Sequence, residues 1–287
     1  MKLLSTGYLV GARVVRALPS TVRYTAGEAG AEAWWLADRG RRAGVLANYA
    51  AVLGLPVEDR RVARVAAQAF RSYGRTVTDF MLMGALSPSE LQGRLTVSGA
   101  EHAHAAASQG RGGIIALPHM GSWDFASALA SSLGYRITGV TEPFPGSLDE
   151  AVRQTRAKHG MDVVMAGRAA VGGIARALQA NQMVGLICDL PPERGGVEVC
   201  FFGRKAVVPA GPAAIALKYG SPLIPGFSRR TGPGHYHVHL DPPLMPPPNH
   251  RGDSEAIKSL MQAVVARFEV FIAAHPDQWY AFKPVLH

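Results

Sequence analysis

The run Ile114-Ile115-Ala116-Leu117-Pro118-His119-Met120-Gly121-Ser122-Trp123-Asp124 carries an apolar strand into a turn, with His119 just past the strand and Asp124 where a helix begins. A His five residues ahead of an Asp across such a turn lets the carboxylate accept the imidazole N–H, fix the tautomer and stabilise the imidazolium. The other ring nitrogen is then a general base. No Gly-x-Ser-x-Gly elbow and no well-placed reactive Cys accompanies it. The expected task is therefore to activate a substrate hydroxyl rather than an enzyme nucleophile. By itself the spacing is a weak signal, because helix capping by Asp124 accounts for it as well. A second acid, Asp189, closes the apolar run 183–188 and leads into Pro191-Pro192-Glu193-Arg194-Gly195-Gly196.

The elements that must position these groups change character along the chain. Residues 1–90 read as a helical cap, with apolar positions three and four apart in 29–37 and 57–83 and with Pro19 and Pro56 as punctuation. Residues 91–287 read as an α/β core. Strand-like runs at 95–98, 113–117, 135–140, 161–164, 183–188, 197–202, 223–228 and 235–241 alternate with helical stretches at 125–132, 148–159, 169–180 and 211–219. Strand and helix in turn predict a mostly parallel central sheet flanked by helices, in one catalytic unit spanning 1–287. Ligand and catalytic groups of such sheets collect at the carboxyl ends of the strands, where His119 and Asp189 fall. A last helix follows Asp253 as N-cap, with Ile257, Leu260, Met261, Val264, Val265, Phe268, Phe271 and Ile272 on one stripe.

Composition sets the outer limits. With 287 residues and 48% apolar, the chain is long and oily enough for a real core, which excludes a disordered tail or a coiled coil. Thirty Lys and Arg against 21 Asp and Glu leave a net charge of +9, and +6 of it lies within the first 80 residues. An anionic partner is expected, and a phospholipid surface fits as well as nucleic acid on charge alone. No stretch is long and apolar enough to span a bilayer. The first segment instead reads as a short amphipathic helix, with Lys2, Ser5, Thr6, Arg13 and Arg16 on a narrow polar stripe and Leu9 out of place on it. It suits a membrane interface, or equally the protein's own core. Cys188 and Cys200 are too few for a disulfide framework and point to a reducing compartment.

The His119–Asp124 turn, Asp189 and the later Phe201-Phe202-Gly203-Arg204-Lys205-Ala206-Val207-Val208-Pro209-Ala210-Gly211-Pro212-Ala213 occur in one order between Asn48-Tyr49-Ala50 and Pro276-Asp277-Gln278-Trp279-Tyr280. On these motifs the chain resembles the bacterial lipid A acyltransferase family of the lysophospholipid acyltransferase superfamily, and within it the phosphatidylinositol mannoside acyltransferases of actinobacteria. The resemblance implies a glycerolipid acyltransferase-like fold. It implies an O-acyltransferase moving a long acyl chain from acyl-CoA or acyl carrier protein to a hydroxyl of a glycolipid, peripheral at the cytoplasmic face of the plasma membrane. It also implies no cofactor beyond the acyl donor, no metal and no nucleic acid. His119 matches the family's general base and Asp124 its partner. Glu142, Arg156 and Asp189 match family positions near the site, with Glu193 competing for the place of Asp189. Arg194 and Arg204 are carried as substrate contacts, Arg204-Lys205 toward coenzyme A phosphates or an acidic carrier protein. Ser122 replaces the Asn common in the turn, and Leu190 the Gln or Arg that often follows the acid; both departures bear on the acceptor. Acylation of a lysophospholipid or a lipid A-like disaccharide is the near alternative, and a non-catalytic basic membrane- or nucleic-acid-binding protein the distant one.

Other patterns carry less. His235, His237 and His239 share a strand face at period two but lack a fitting set of metal ligands, so a solvated face is expected. Arg251-Gly252-Asp253 reads as a turn. Gly110-Arg111-Gly112-Gly113 precedes a strand and fails the dinucleotide fingerprint. Trp34, Trp35 and Trp279 suit either a membrane interface or buried packing.

Overall fold

The computed structural model describes residues 2–144, 148–247 and 253–286. Five helices precede any strand: α1 (Lys2–Ala17), α2 (Ser20–Ala37), α3 (Arg39–Leu53), α4 (Arg60–Met83) and α5 (Pro88–Gln92). Their starts follow from local chemistry. Asp38 and Asp59 accept the backbone N–H of Arg41 and Arg61, and Ser87 with Glu90 forms a capping box before α5. The sequence does not betray α3, whose apolar residues form no clean stripe. Tertiary contacts hold it: the Asn48 amide donates to the Ala281 and Lys283 carbonyls and accepts from the N–H of Val285 and Leu286.

Strand and helix then alternate: β1 (Leu95–Ser98), α6 (Ala100–Ala107), β2 (Gly113–Leu117), α7 (Trp123–Ser132), β3 (Ile137–Thr141), α8 (Leu148–Lys158), β4 (Met161–Met165), α9 (Arg168–Gln179) and β5 (Met183–Ile187). There follow β6 (Gly196–Phe201), β7 (Arg204–Pro209), α10 (Gly211–Tyr219), β8 (Leu223–Gly232), β9 (His235–Leu240) and α11 (Ser254–Ala274). Seven strands form one sheet in the order β1-β9-β8-β2-β5-β3-β4. Every pairing in it is parallel except β8 with β9. The expected mostly parallel sheet with helices on both faces is what the chain builds. β7, which the sequence reading omits, pairs with β6 as a hairpin. Phe202 and Gly203 turn it with φ of 50° and 69°, the positive values that two-residue hairpin turns require.

Period-two alternation along β2 feeds two cores. Ile114 and Ala116 pack with Ile174, Leu178, Ala213 and Phe268 from α9, α10 and α11, whereas Ile115 and Leu117 pack with Ala103, Ala106 and Ala130 from α6 and α7. The helices α2 and α4 cross at Gly27 and Gly74, where a Cβ on Gly74 would lie 2.3 Å from the Gly27 carbonyl oxygen. Arg71–Glu32 and Arg75–Glu28 ion pairs flank this crossing. The helical cap is tied to the sheet through Asp79, fully buried, which accepts from Tyr24, from Arg230 Nε at 2.6 Å and from Tyr236 at 2.8 Å. Burial and the Asp79 carboxylate push the Tyr24 phenol up to about 12.

Among the described residues no helix is long and apolar enough to cross a membrane. Helix α1 divides its surface: Ala12 is buried, while Val10 and Val14 are exposed beside Arg13 and Arg16. Asp253 caps α11 as expected, accepting from Glu255 and Ala256. Arg251 and Gly252 of the expected turn lie outside the described residues.

Candidate active site

Parallel pairing places the site. In the ladder between β2 and β5, Leu117 stands opposite Ile187, and the Cys188 N–H donates to the Leu117 carbonyl at 2.9 Å. His119 and Asp189 are each two residues beyond that last pair, so the sheet delivers them side by side at its carboxyl edge. The His119 N–H donates to Asp189 Oδ2 at 3.0 Å, and the ring Nδ1 lies 2.6 Å from Oδ1. Asp189 is fully buried, and the indole Nε1 of Trp279 donates to its Oδ2 at 2.7 Å. A carboxylate held this way accepts the proton of Nδ1 and leaves Nε2 as the basic atom. The imidazole keeps 30% of its side-chain surface exposed, so Nε2 is accessible while its partner is sealed from water. Trp123 packs edge-on against the ring at 5.7 Å.

The partner of His119 is thus Asp189, and the expected pairing with Asp124 is corrected. Ser122 caps α7 and accepts the Phe125 N–H at 3.3 Å, which sets Asp124 in the first helical turn. There its Oδ1 receives Arg156 Nε of α8 at 2.7 Å, and Arg156 Nη1 reaches Thr141 Oγ1 at 3.3 Å. Both charged side chains are over nine-tenths buried, so Asp124 and Arg156 form a closed pair that bolts α7 to α8. Arg156, expected near a substrate, lies in this pair, and Asp189, expected there too, lies against the His119 ring. Of the backbone amides in the turn after His119, that of Gly121 donates to the Gln278 carbonyl and that of Ser122 to Ser228 Oγ.

Residues 3–287 match the family described as bacterial lipid A biosynthesis acyltransferase. The chain belongs to that family. It is 32% identical over 282 residues to a phosphatidylinositol mannoside acyltransferase of Mycolicibacterium smegmatis, covering 97% of this chain and 90% of the relative. It is 31% identical over 286 residues to the protein of the same name from Mycobacterium tuberculosis, covering 96% and 86%. Among solved structures, the 1-acyl-sn-glycerophosphate acyltransferase PlsC of Thermotoga maritima aligns over 90% of this chain and 99% of its own, with 14% identity and a TM-score of 0.41.

The remaining groups of this lipid A-type acyltransferase are spread around the edge. Glu142 is exposed directly after β3, and Glu193 and Arg194 are exposed on the link from β5 to β6. Arg204 is exposed beside the hairpin turn, where it lines a groove of about 330 Å³ with Ala47, Ala51, Leu55 and Val57. A second, largely apolar cavity of about 30 Å³ lies under the sheet between Leu117, Ala126, Ala130 and Leu133 near α7 and Ile137 and Met183 on the strands, with Ser127 and Tyr135 also on its wall. Cys188, next to Asp189, is fully buried, which pushes its thiol well above the ordinary value and makes it no nucleophile. Of the strand-face histidines, His237 and His239 join a hydrogen-bonded row, and His235 Nδ1 lies 2.9 Å from the Pro233 carbonyl. Ser98 Oγ lies 3.0 Å from His237 and 2.7 Å from His239, whose other nitrogen is 2.9 Å from Asp241. Among the described residues no group of three ligating side chains is placed to hold a metal.

Sequence reasoning missed Trp279 as part of the site. The available signal was that a buried indole needs an acceptor for its N–H; which acceptor depends on a fold that returns the C-terminus across the sheet edge.

Proposed function

We propose that this acyltransferase moves a long acyl chain from an acyl thioester, acyl-CoA or acyl carrier protein, to a hydroxyl of a glycolipid such as a phosphatidylinositol mannoside. The observation that carries the reading is the His119–Asp189 pair, with a sealed carboxylate on Nδ1 and an accessible Nε2. His119 Nε2 takes the proton of the acceptor hydroxyl while its oxygen attacks the thioester carbonyl carbon. The C–S bond then breaks, the ester forms, and the imidazolium returns its proton to the departing thiolate. Thioester and alcohol alone balance the reaction. The N–H groups of Trp123 and Asp124, in the first turn of α7 and so without acceptors inside the helix, are assigned to the developing oxyanion.

The acyl chain is assigned to the apolar cavity below the base. Leu117 marks its near end and Met183, which begins β5 opposite Gly113, its far end, about 13 Å away along five residues of strand. The cavity is small, about 30 Å³, so the chain enters by moving Leu133 and its neighbours aside. Val10, Val14 and Val22, exposed beside Arg13, Arg16 and Arg23, support docking of α1 and α2 on an anionic membrane surface, assigned to the cytoplasmic face.

The test is to incubate the protein with palmitoyl-CoA, an actinobacterial polar-lipid extract and a thiol reagent, with His119→Ala alongside. Acceptor-dependent release of free thiol should fall about 10²–10⁴-fold in the variant, and mass spectrometry of the product would name the acylated hydroxyl. Full activity in a folded His119→Ala would sink the base assignment. No thiol release from any thioester, carrier protein included, would refute the transfer itself.

A further inference from the structure

We propose that Trp279 is a positioning residue, whose indole N–H holds Asp189 in the orientation that keeps the His119 proton on Nδ1. The inference rests on the His119 base reading above and assigns how that base is kept in its reactive form.

Asp189 has two oxygens and three donors. Oδ1 meets the His119 ring at 2.6 Å; Oδ2 receives the His119 backbone N–H at 3.0 Å and the Trp279 indole at 2.7 Å. Two donors on Oδ2 pin that oxygen and thereby aim Oδ1 at the ring. Without the indole, Oδ2 keeps one donor, the backbone N–H of His119 itself. The carboxylate could then rotate about its own axis with nothing outside the dyad to resist it. Neutral imidazole in water prefers its proton on Nε2, so an unaligned carboxylate would return the proton to the atom that must accept one.

Trp279 is built to resist such rotation. It is fully buried, and Tyr49, Phe201 and Phe202 surround the indole at ring separations of 6.0, 5.8 and 6.3 Å. Its main chain is fixed from two sides, by an antiparallel bridge to Met120 and by the Tyr49 hydroxyl on its carbonyl. The Tyr280 N–H donates to the His119 carbonyl at 2.7 Å, so the C-terminal segment grips both members of the dyad. Burial pushes the Tyr49 phenol well above its ordinary value, so this clamp stays uncharged.

The experiment replaces Trp279 alone with benzothienylalanine, which keeps the fused ring and substitutes sulfur for N–H; Trp279→Phe serves as a second variant. The imidazole tautomer of His119 is read by ¹⁵N NMR in the free protein, which requires no turnover. Wild type should show the Nδ1–H form and the isostere a substantial share of the Nε2–H form. In acyl transfer the isostere should lose about 10- to 100-fold in kcat with KM changed less than about twofold, as expected for losing one hydrogen bond to a charged group. A folded isostere that keeps the Nδ1–H form overturns the inference. So does one that keeps wild-type kcat. Should the wild type transfer no acyl group, the functional reading fails, and the tautomer still decides the role of Trp279.

Discussion

Arg156 Nε stands 2.7 Å from Asp124 Oδ1 with both side chains more than nine-tenths buried, and Asp124 lies in the first turn of α7, the helix that follows the turn carrying His119. An isolated charge in that place would have no water to turn to. Removing one partner from such a pair costs about 3–5 kcal/mol. Asp124→Ala should therefore lower the free energy of unfolding in urea by about that amount, and Asp124→Asn, which keeps an acceptor oxygen for Arg156, by less. Equal losses in the two variants would count against a structural role for the charge pair.

Asp189 makes the contrasting prediction. Asp189→Asn preserves shape but presents an amide to Nδ1 in place of a carboxylate, so the tautomer and the developing imidazolium lose their support. A fall in kcat of about 10²–10⁴-fold with KM nearly unchanged is expected in a thioester-release assay. Asp189→Asn at wild-type kcat would return the imidazole's orientation to some other group.

The cavity predicts a change of selectivity. Ala130 lines it from α7 and is almost fully buried. Ala130→Leu fills that space and should shift the preferred donor from palmitoyl to a shorter acyl thioester, measured as the ratio of kcat/KM across chain lengths. A variant with an unaltered ratio would move the acyl chain elsewhere, the groove beside Arg204 being the next place to look.

His159 predicts a loss of stability in acid. Burial holds the His159 imidazole below its ordinary value, against the opposing hydrogen bond of its Nε2 to the Met83 carbonyl at 3.0 Å. The unfolded chain titrates this group near 6.5, so below about that pH the unfolded state binds the extra proton. Its share of stability is full above about pH 6.5 and lost as the pH falls below it. The unfolding midpoint of His159→Gln should fall less between pH 7 and 5 than that of the wild type; identical slopes would assign the acid sensitivity to other groups.

The sequence disclosed the sheet and hid its neighbours. Strand 113–117 coincides with β2 because a buried parallel strand is a short apolar run with abrupt ends, and 95–98 coincides with β1, an edge strand in which Leu95 and Val97 alternate with polar residues. His119 and Asp189 were both legible as groups at strand ends. What the chain does not write locally is that β5 lies beside β2, so the near acid, Asp124, looked like the partner although the distant one is. The helix α3 and the strand β7 escaped for the same reason: each is held by long-range contacts, Asn48 to the C-terminus and Ala206 and Val208 to the core. Trp279 was legible as an aromatic and illegible as a donor.

The ladder register that sets Leu117 opposite Ile187 separates two things evolution can change. The proposed base and its acid hang from adjacent strands of one sheet, and the turn 120–122 beside them is buried and pinned, Gly121 to the Gln278 carbonyl and Ser122 to Ser228 and, as the cap of α7, to Phe125. The groups free to change with the acceptor are instead the exposed ones around the edge, such as Glu142, Glu193 and Arg194. A single-residue insertion in β2 or β5 would do the opposite, shifting one partner along its strand and silencing every substrate at once. Diversity of acceptors on a constant chemistry is what such an arrangement permits.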